Sequence, residues 1–506
     1  MLPAFTDSFA QRSTRWWFVV MLAAYLCLDL LAFTGWVYPW LGTLTALLVM
    51  FGWLLLAKRD LALGVTLLVV ELVVGSQGYL LSFKAGGLVL SLRLLLFLAA
   101  FTILVWRLVI GPKLILLTHP LRWWYLAVLS ALGWGSAVAF LRGNGFANIF
   151  LDLNGYLYLG LFPLFFEAAF KPSFVLWLRR LCIPALVWLG VKTIIALYLF
   201  SHFSPEGLLV FYQWWRQTGF GEITYVSGNW FRIFSQSHVW AALASVVGLV
   251  YLWRQQLGQA VFRSQILFSW PGLWFSLVIL LASFSRSFWL GVGVVWLIIP
   301  IVCWRYINVR RLARYYLTSM VLGLAAAGFL IFVTKLNWPQ PSIGATSAAV
   351  FSQRLGAGEA AGESRLRLLG PLWRQVSQHL VLGNGFGTTV TYKTSDPRIV
   401  RSTAGGSGLV TTYAFEWGYL DSWLKFGLLG LVLYLGFVVR GLWPALLKLK
   451  LGFNKIGWAD VALMASAALL VVNLTTPYLN HPLGLGALML AVILVASESA
   501  TLERAL

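Results

Sequence analysis

The stretch WWFVVMLAAYLCLDLLAFTGW, Trp16 to Trp36, decides how the rest of the chain is read. A helix of this length reaches across a hydrocarbon core of about 30 Å, and no small-residue cleavage pattern follows it. It reads as a first spanning helix rather than a removed leader. Similar apolar runs follow at about 39–57, 61–81, 90–108, 123–141, 148–169, 181–200, 239–253, 267–285, 287–304, 317–334, 419–438, 457–477 and 483–497. The expected fold class is all-α: a polytopic membrane protein of about fourteen transmembrane helices.

Composition agrees with this reading. The chain of 506 residues is 60% hydrophobic and only 10% charged, whereas soluble domains carry about 25% charged residues. The net charge of +21 does not point to nucleic acid, because no basic stripe is interleaved with aromatics on a polar face. Lys and Arg fall instead in short clusters between apolar runs, as topology signals and contacts for anionic membrane lipid do. Cys27, Cys182 and Cys303 all lie inside apolar runs without metal-ligand spacing and read as small buried hydrophobes.

The positive clusters give an orientation. With the N-terminus inside, the inner segments hold Arg12 and Arg15, Lys58 and Arg59, Arg107 and Lys113, then Lys171, Arg179 and Arg180. Arg254 and Arg263 come next, followed by Arg305, Arg310, Arg311 and Arg314, and finally by Arg440, Lys448, Lys450 and Lys455. Short outer turns carry fewer, Lys84 and Arg142 among them. Both termini then face the cytoplasm. The organisation is helices 1–7 in 1–200, an outer segment 201–238, helices 8–11 in 239–334, a large outer loop 335–418, and helices 12–14 in 419–506.

Loops of such length are usually functional or disordered. The larger one contains a helical pattern, Leu366, Leu369, Trp373, Val376 and Leu380, which Gly370-Pro371 is expected to kink or restart. GNGFG at Gly383–Gly387 follows no predicted strand and reads as a flexible turn closing that helix.

Three charged residues stand at the outer boundary of apolar helices: Arg232 in GNWFRIFSQSHVW, Arg286 in SFSRSFWLG and Glu416 in YAFEWGYLDSWLKFGLLG. Ionisable groups there are costly and are functional candidates. An arginine at a helix end also snorkels to headgroups without any chemistry, and Glu416 can simply pair with a loop arginine. Together, two guanidinium forks and a carboxylate suit an anionic ligand and acid–base chemistry, and no residue cluster has metal spacing. His238 is close to Arg232 in sequence and is a candidate for the same cavity. Glu71, Arg93, Glu167 and Lys192, within or at the ends of spans, are expected to pair helices or snorkel. Asp421 is expected to pair with Lys425 one turn on.

Over about residues 225–440 this arrangement resembles the O-antigen ligase and O-antigen polymerase superfamily of bacterial inner-membrane glycosyltransferases. The resemblance rests on FRIFSQSHVWAALA, SFSRSFWLG, SRLRLLGPLWRQVSQHLVLGNGFG and EWGYLDSWLKFGLLG, in this order. It implies an undecaprenyl-pyrophosphate-linked oligosaccharide as donor, transfer at the periplasmic face, a large structured periplasmic loop, and no metal or other cofactor. Arg232 and Arg286 match the arginines that hold the pyrophosphate, with Arg365, Arg367 and Arg374 of the loop adding positive surface. Glu416 stands where ligases carry His and is the expected base, with Tyr419 and Asp421 as neighbours able to move the proton. This departure favours a polymerase joining repeat units for O-antigen or exopolysaccharide over a ligase, and the resemblance leaves room for a chain-length regulator as partner. A flippase for lipid-linked oligosaccharide is the competing class, disfavoured by the single asymmetric loop and the absence of matched halves.

Overall fold

In the computed structural model of the chain, Trp16–Trp36 lies inside one helix, Thr14–Val37, whose first turn is capped by Ser13 accepting from the Trp16 N–H. The structure describes residues 13–85, 88–204, 206–227, 230–257, 270–302, 308–338, 360–394, 400, 406–451 and 457–505. The fold is 76% helical. Eight helices among the described residues are long and apolar enough to cross a membrane: Arg15–Val37, Pro39–Arg59, Leu92–Val109, Leu121–Leu141, Phe174–His202, Val309–Lys335, Gly418–Lys448 and Pro482–Ala500. Phe146–Leu153 and Tyr156–Ala169 form a ninth candidate bent by 47°. Leu61–Val74, Trp270–Ala282, Arg286–Val302 and Trp458–Val472 are apolar but shorter. The apolar run at 239–253 is helical too, within His238–Gln256.

The run expected over 61–81 stops at Val74 for a local reason. Ser76 takes φ +52°, outside the helical region, and its carbonyl accepts from the Arg93 guanidinium at 2.5 Å. Cys27 departs from its expected burial and is exposed, Cys182 is half-buried, and Cys303 falls outside the described residues. A small apolar side chain on a spanning helix faces lipid without penalty, so burial is not required of it.

Two compact units make up the chain. The first comprises Met1–Lys113, Pro163–Ser285 and Val309–Ala345. Its long helix Phe174–His202 packs against Leu61–Val74, Thr14–Val37, Trp270–Ala282 and Val309–Lys335. Two buried ion pairs stitch it, as expected of charges within spans: Arg93 with Glu71 at 2.9 Å and Lys192 with Asp29 at 3.0 Å. A hairpin pairs Glu222–Ser227 with Trp230–Phe234, and another pairs Ser82–Ala85 with Leu88–Ser91.

The second unit comprises Leu114–Phe162, Arg286–Asn308 and Thr346–Leu506. Its spine is the helix Gly418–Leu451, packed against Leu121–Leu141 and Pro482–Ala505. Trp458–Val472 lies between Pro482–Ala505 and Arg286–Val302. The spine is broken at Phe426 (φ −123°, ψ 16°) and Gly427 (φ 73°, ψ 177°). An unbroken helix would bond Leu428 to Leu424 and Leu429 to Lys425. Instead the Leu428 N–H donates to the Leu380 carbonyl at 2.8 Å, and Leu429 to Val381 at 3.3 Å. The carbonyls left behind accept from Asn384 and Gly385, so the GNGFG segment is threaded through the break. Phe386 is buried in it, edge-on to Tyr156 at 5.6 Å and tilted against Phe426 at 6.1 Å. What reads as a flexible turn is therefore a built part of the core.

Candidate active site

Arg286 opens the helix Arg286–Val302 immediately after a tight turn. Phe284 makes that turn with φ +47°, a region L-residues enter reluctantly, and it is held there by full burial. The short break expected around Ser283–Ser287 is thus present. Arg232 sits on the strand Trp230–Phe234 opposite Thr224. Its Nε donates to the Ser283 carbonyl at 3.0 Å, and its guanidinium lies 4.4 Å from the Phe234 ring centre. Arg232 is thereby tied to the turn that precedes Arg286 in the chain.

The loop helix runs unbroken from Ala360 to Gln378 through Pro371, which had been expected to kink or restart it. Leu368 and Leu372 flank that turn and are both buried in a cluster with Val376, Val390, Phe415 and Leu424, which offsets the hydrogen bond proline removes. The buried stripe is Leu368, Leu372 and Val376, spaced by four. Of the residues whose spacing announced the helix, Val376 is in this stripe, whereas Leu366, Trp373 and Leu380 are exposed.

The phase of the helix divides the arginines. Arg365 lies next to the buried stripe and its Nε and Nη2 fork onto the two oxygens of Glu416, with Nη2 at 3.3 Å from Oε1. Arg367 turns outward and pairs with Glu363 one turn earlier at 2.6 Å. Arg374, seven residues on and therefore on the same outward face, is exposed. The three arginines do not form one surface. In its first turn the helix comes close to Arg286, since a Cβ added to Gly362 would stand 3.8 Å from the Arg286 Nη1. One helix thus brings together Arg286, Arg365 and Glu416.

Tyr419 is directed away from Glu416, its hydroxyl donating to the Leu470 carbonyl at 2.8 Å. His238 belongs to the first unit and is completely buried. Its Nε2 meets the Thr193 hydroxyl at 3.0 Å, and its Nδ1 accepts from the Ser235 N–H at 3.2 Å. It pins the chain into the helix His238–Gln256 rather than presenting a ring to ligand.

Two features escaped the sequence reading. Trp417 donates from Nε1 to the Arg365 carbonyl at 3.0 Å, fixing the backbone that carries the guanidinium. Only its place beside Glu416 hinted at this. Lys425 pairs with Asp421 at 2.7 Å as expected, but Asp152 also contacts it, and all three are buried. Asn480 donates to Asp421 at 2.7 Å, and Asp152 accepts from the Gly387 N–H at 2.8 Å. Through that bond the polar knot holds the Gly387 end of the threaded loop.

Chemically, a carboxylate forked by an exposed guanidinium is a proton acceptor whose availability depends on what else the guanidinium binds. An incoming phosphate competes for the same fork geometry. The chain matches no protein-family model and no curated protein.

Proposed function

We propose that this chain is a metal-independent membrane glycosyltransferase that polymerises undecaprenyl-pyrophosphate-linked oligosaccharide repeat units for a cell-surface polysaccharide. On this reading it crosses the bacterial inner membrane about fourteen times with both termini cytoplasmic, and the loop 335–418 lies on the periplasmic side. The observation that carries the proposal is the loop helix Ala360–Gln378, which sets Arg365 on Glu416 and its first turn beside Arg286.

Cleavage of an anomeric C–O bond to pyrophosphate loads negative charge on the leaving group. Arg286 would stabilise that charge, which a guanidinium does without needing a metal. Donor phosphate drawing on Arg365 would release Glu416 to take the proton of the attacking acceptor hydroxyl. Arg367 and Arg374, on the outward face, would attract the anionic donor rather than touch the reacting atoms.

The test is an assay in liposomes with a lipid-pyrophosphate-linked repeat unit, comparing wild type with Arg286→Ala and Glu416→Gln and resolving products by size. A ladder of longer lipid-linked glycans, lost in both variants, is the expected result. Donor consumption only when a distinct acceptor such as lipid A-core is added would make the chain a ligase. Donor crossing the bilayer without any product would make it a flippase.

A further inference from the structure

Leu380, Val381 and Leu382 follow the loop helix and are 41%, 59% and 47% exposed. Their carbonyls are all bonded within the protein. Leu380 O accepts from the Leu428 N–H and from Trp423 Nε1, both at 2.8 Å. Val381 O accepts from Leu429 at 3.3 Å, and Leu382 O from Trp134 Nε1 at 3.0 Å. A turn facing water normally does the reverse, leaving carbonyls to solvent and turning apolar groups inward.

Backbone closed internally beneath outward apolar side chains is what hydrocarbon demands, because no water is available there to satisfy a carbonyl. The neighbours agree. Leu428 and Leu429, which hold the loop, are themselves exposed, as is Val432 further along the candidate span Gly418–Lys448. The apolar surface of the loop is continuous with the outward face of that span. Trp134, Trp373 and Trp423 surround it, with Trp373 and Trp423 edge-to-face at 5.6 Å. Indoles donating to carbonyls at the edge of an apolar face are the residues of a membrane boundary.

We propose that residues 380–382 form a re-entrant tip seated among the acyl chains of the bilayer, docked into the break of the helix Gly418–Leu451. The occupant of this face is lipid hydrocarbon.

The test places a nitroxide on Val381→Cys and, separately, on Leu382→Cys, after Cys27, Cys182 and Cys303 are replaced by alanine. The full chain is reconstituted in vesicles of phosphatidylethanolamine and phosphatidylglycerol. Collision rates with oxygen and with a water-soluble nickel chelate are then measured by power saturation. Val432→Cys serves as the lipid reference and Lys393→Cys, exposed at the end of a strand, as the aqueous one. The expected result is a chelate-to-oxygen ratio at both positions several-fold below that at Lys393→Cys and close to that at Val432→Cys. A ratio matching Lys393→Cys would overturn the proposal in favour of water. Shielding from both reagents would overturn it in favour of a protein cover, such as a second copy of the chain. Two separate labelled positions keep the test decisive if one variant fails to fold.

Discussion

The backbone N–H of Asn384 donates to the carbonyl of Leu424 over 2.6 Å. With the Gly385 N–H on Lys425 at 3.0 Å, it replaces helical bonds that the spine of the second unit gives up at Gly427. Gly427 combines φ 73° with ψ 177°, a region essentially restricted to glycine. A Cβ there would also collide with the Val381 carbonyl. Gly427→Ala is therefore expected to cost at least about 1–3 kcal/mol and to lower the thermal midpoint in detergent. Gly370→Ala is the control: it is helical with open space around it, and should gain up to about 1 kcal/mol. Equal melting of the two variants would show that the break is not fixed by Gly427.

Lys425 is one ammonium between two buried carboxylates, Asp152 and Asp421. Lys425→Met leaves both without a counter-ion, and loss of one partner from a buried pair costs about 3–5 kcal/mol. Asp421→Asn leaves one carboxylate and one ammonium, with an amide able to keep its bond to Asn480 or Lys425. It is expected to melt much closer to wild type. Urea or thermal unfolding in detergent gives the order directly, and a reversed order would refute the charge count.

Arg365 and Glu416 are 38% and 51% exposed, so their pair contributes only about 0–1 kcal/mol to stability. Glu416→Gln should therefore leave the thermal midpoint unchanged while lowering turnover by about 10²–10⁴-fold, the usual worth of a positioned base. Trp417→Phe, which removes the N–H held by the Arg365 carbonyl together with part of the ring, should reduce turnover to a smaller extent. Retained turnover in a well-folded Glu416→Gln protein would remove Glu416 from the chemistry.

Arg93 makes three bonds in the first unit: Nε and Nη2 to Glu71 at 2.9 and 3.0 Å, and Nη2 to the Ser76 carbonyl. A lysine keeps the charge but not the fork. Arg93→Lys is expected to lower the melting temperature clearly, and Arg93→Met further still because Glu71 is left buried and alone. Differential scanning fluorimetry of the three proteins would reveal the series, and an unchanged Arg93→Lys would reduce the pair to a charge contact.

The helical runs were legible because apolar length is a one-dimensional property. So were local pairs such as Asp421 with Lys425, which the helical repeat alone brings together. The phase of the loop helix was not. Apolar residues at 3–4 spacing announce a helix without saying which of them is covered: Val376 is buried while Leu366 and Trp373 are exposed, and beside a membrane an apolar residue is not obliged to turn inward. That ambiguity decided which arginine meets Glu416. The partner of Asp152 was illegible for a different reason: nothing local to Asp152 announces Lys425. The break at Gly427 hid inside FGLLG, which reads as uninterrupted apolar sequence until a second segment supplies the missing bonds.

The knot of Asp152 and Lys425 also sets an order of events during synthesis. Asp152 belongs to the first stretch of a unit whose remaining stretches, from Arg286 and from Thr346 onward, are made later. Between them the ribosome delivers most of the other unit. Until the helix carrying Lys425 is made, Asp152 lacks the ammonium it pairs with in the folded unit. The second unit therefore cannot close until the helix carrying Lys425 has been made, after most of the other unit.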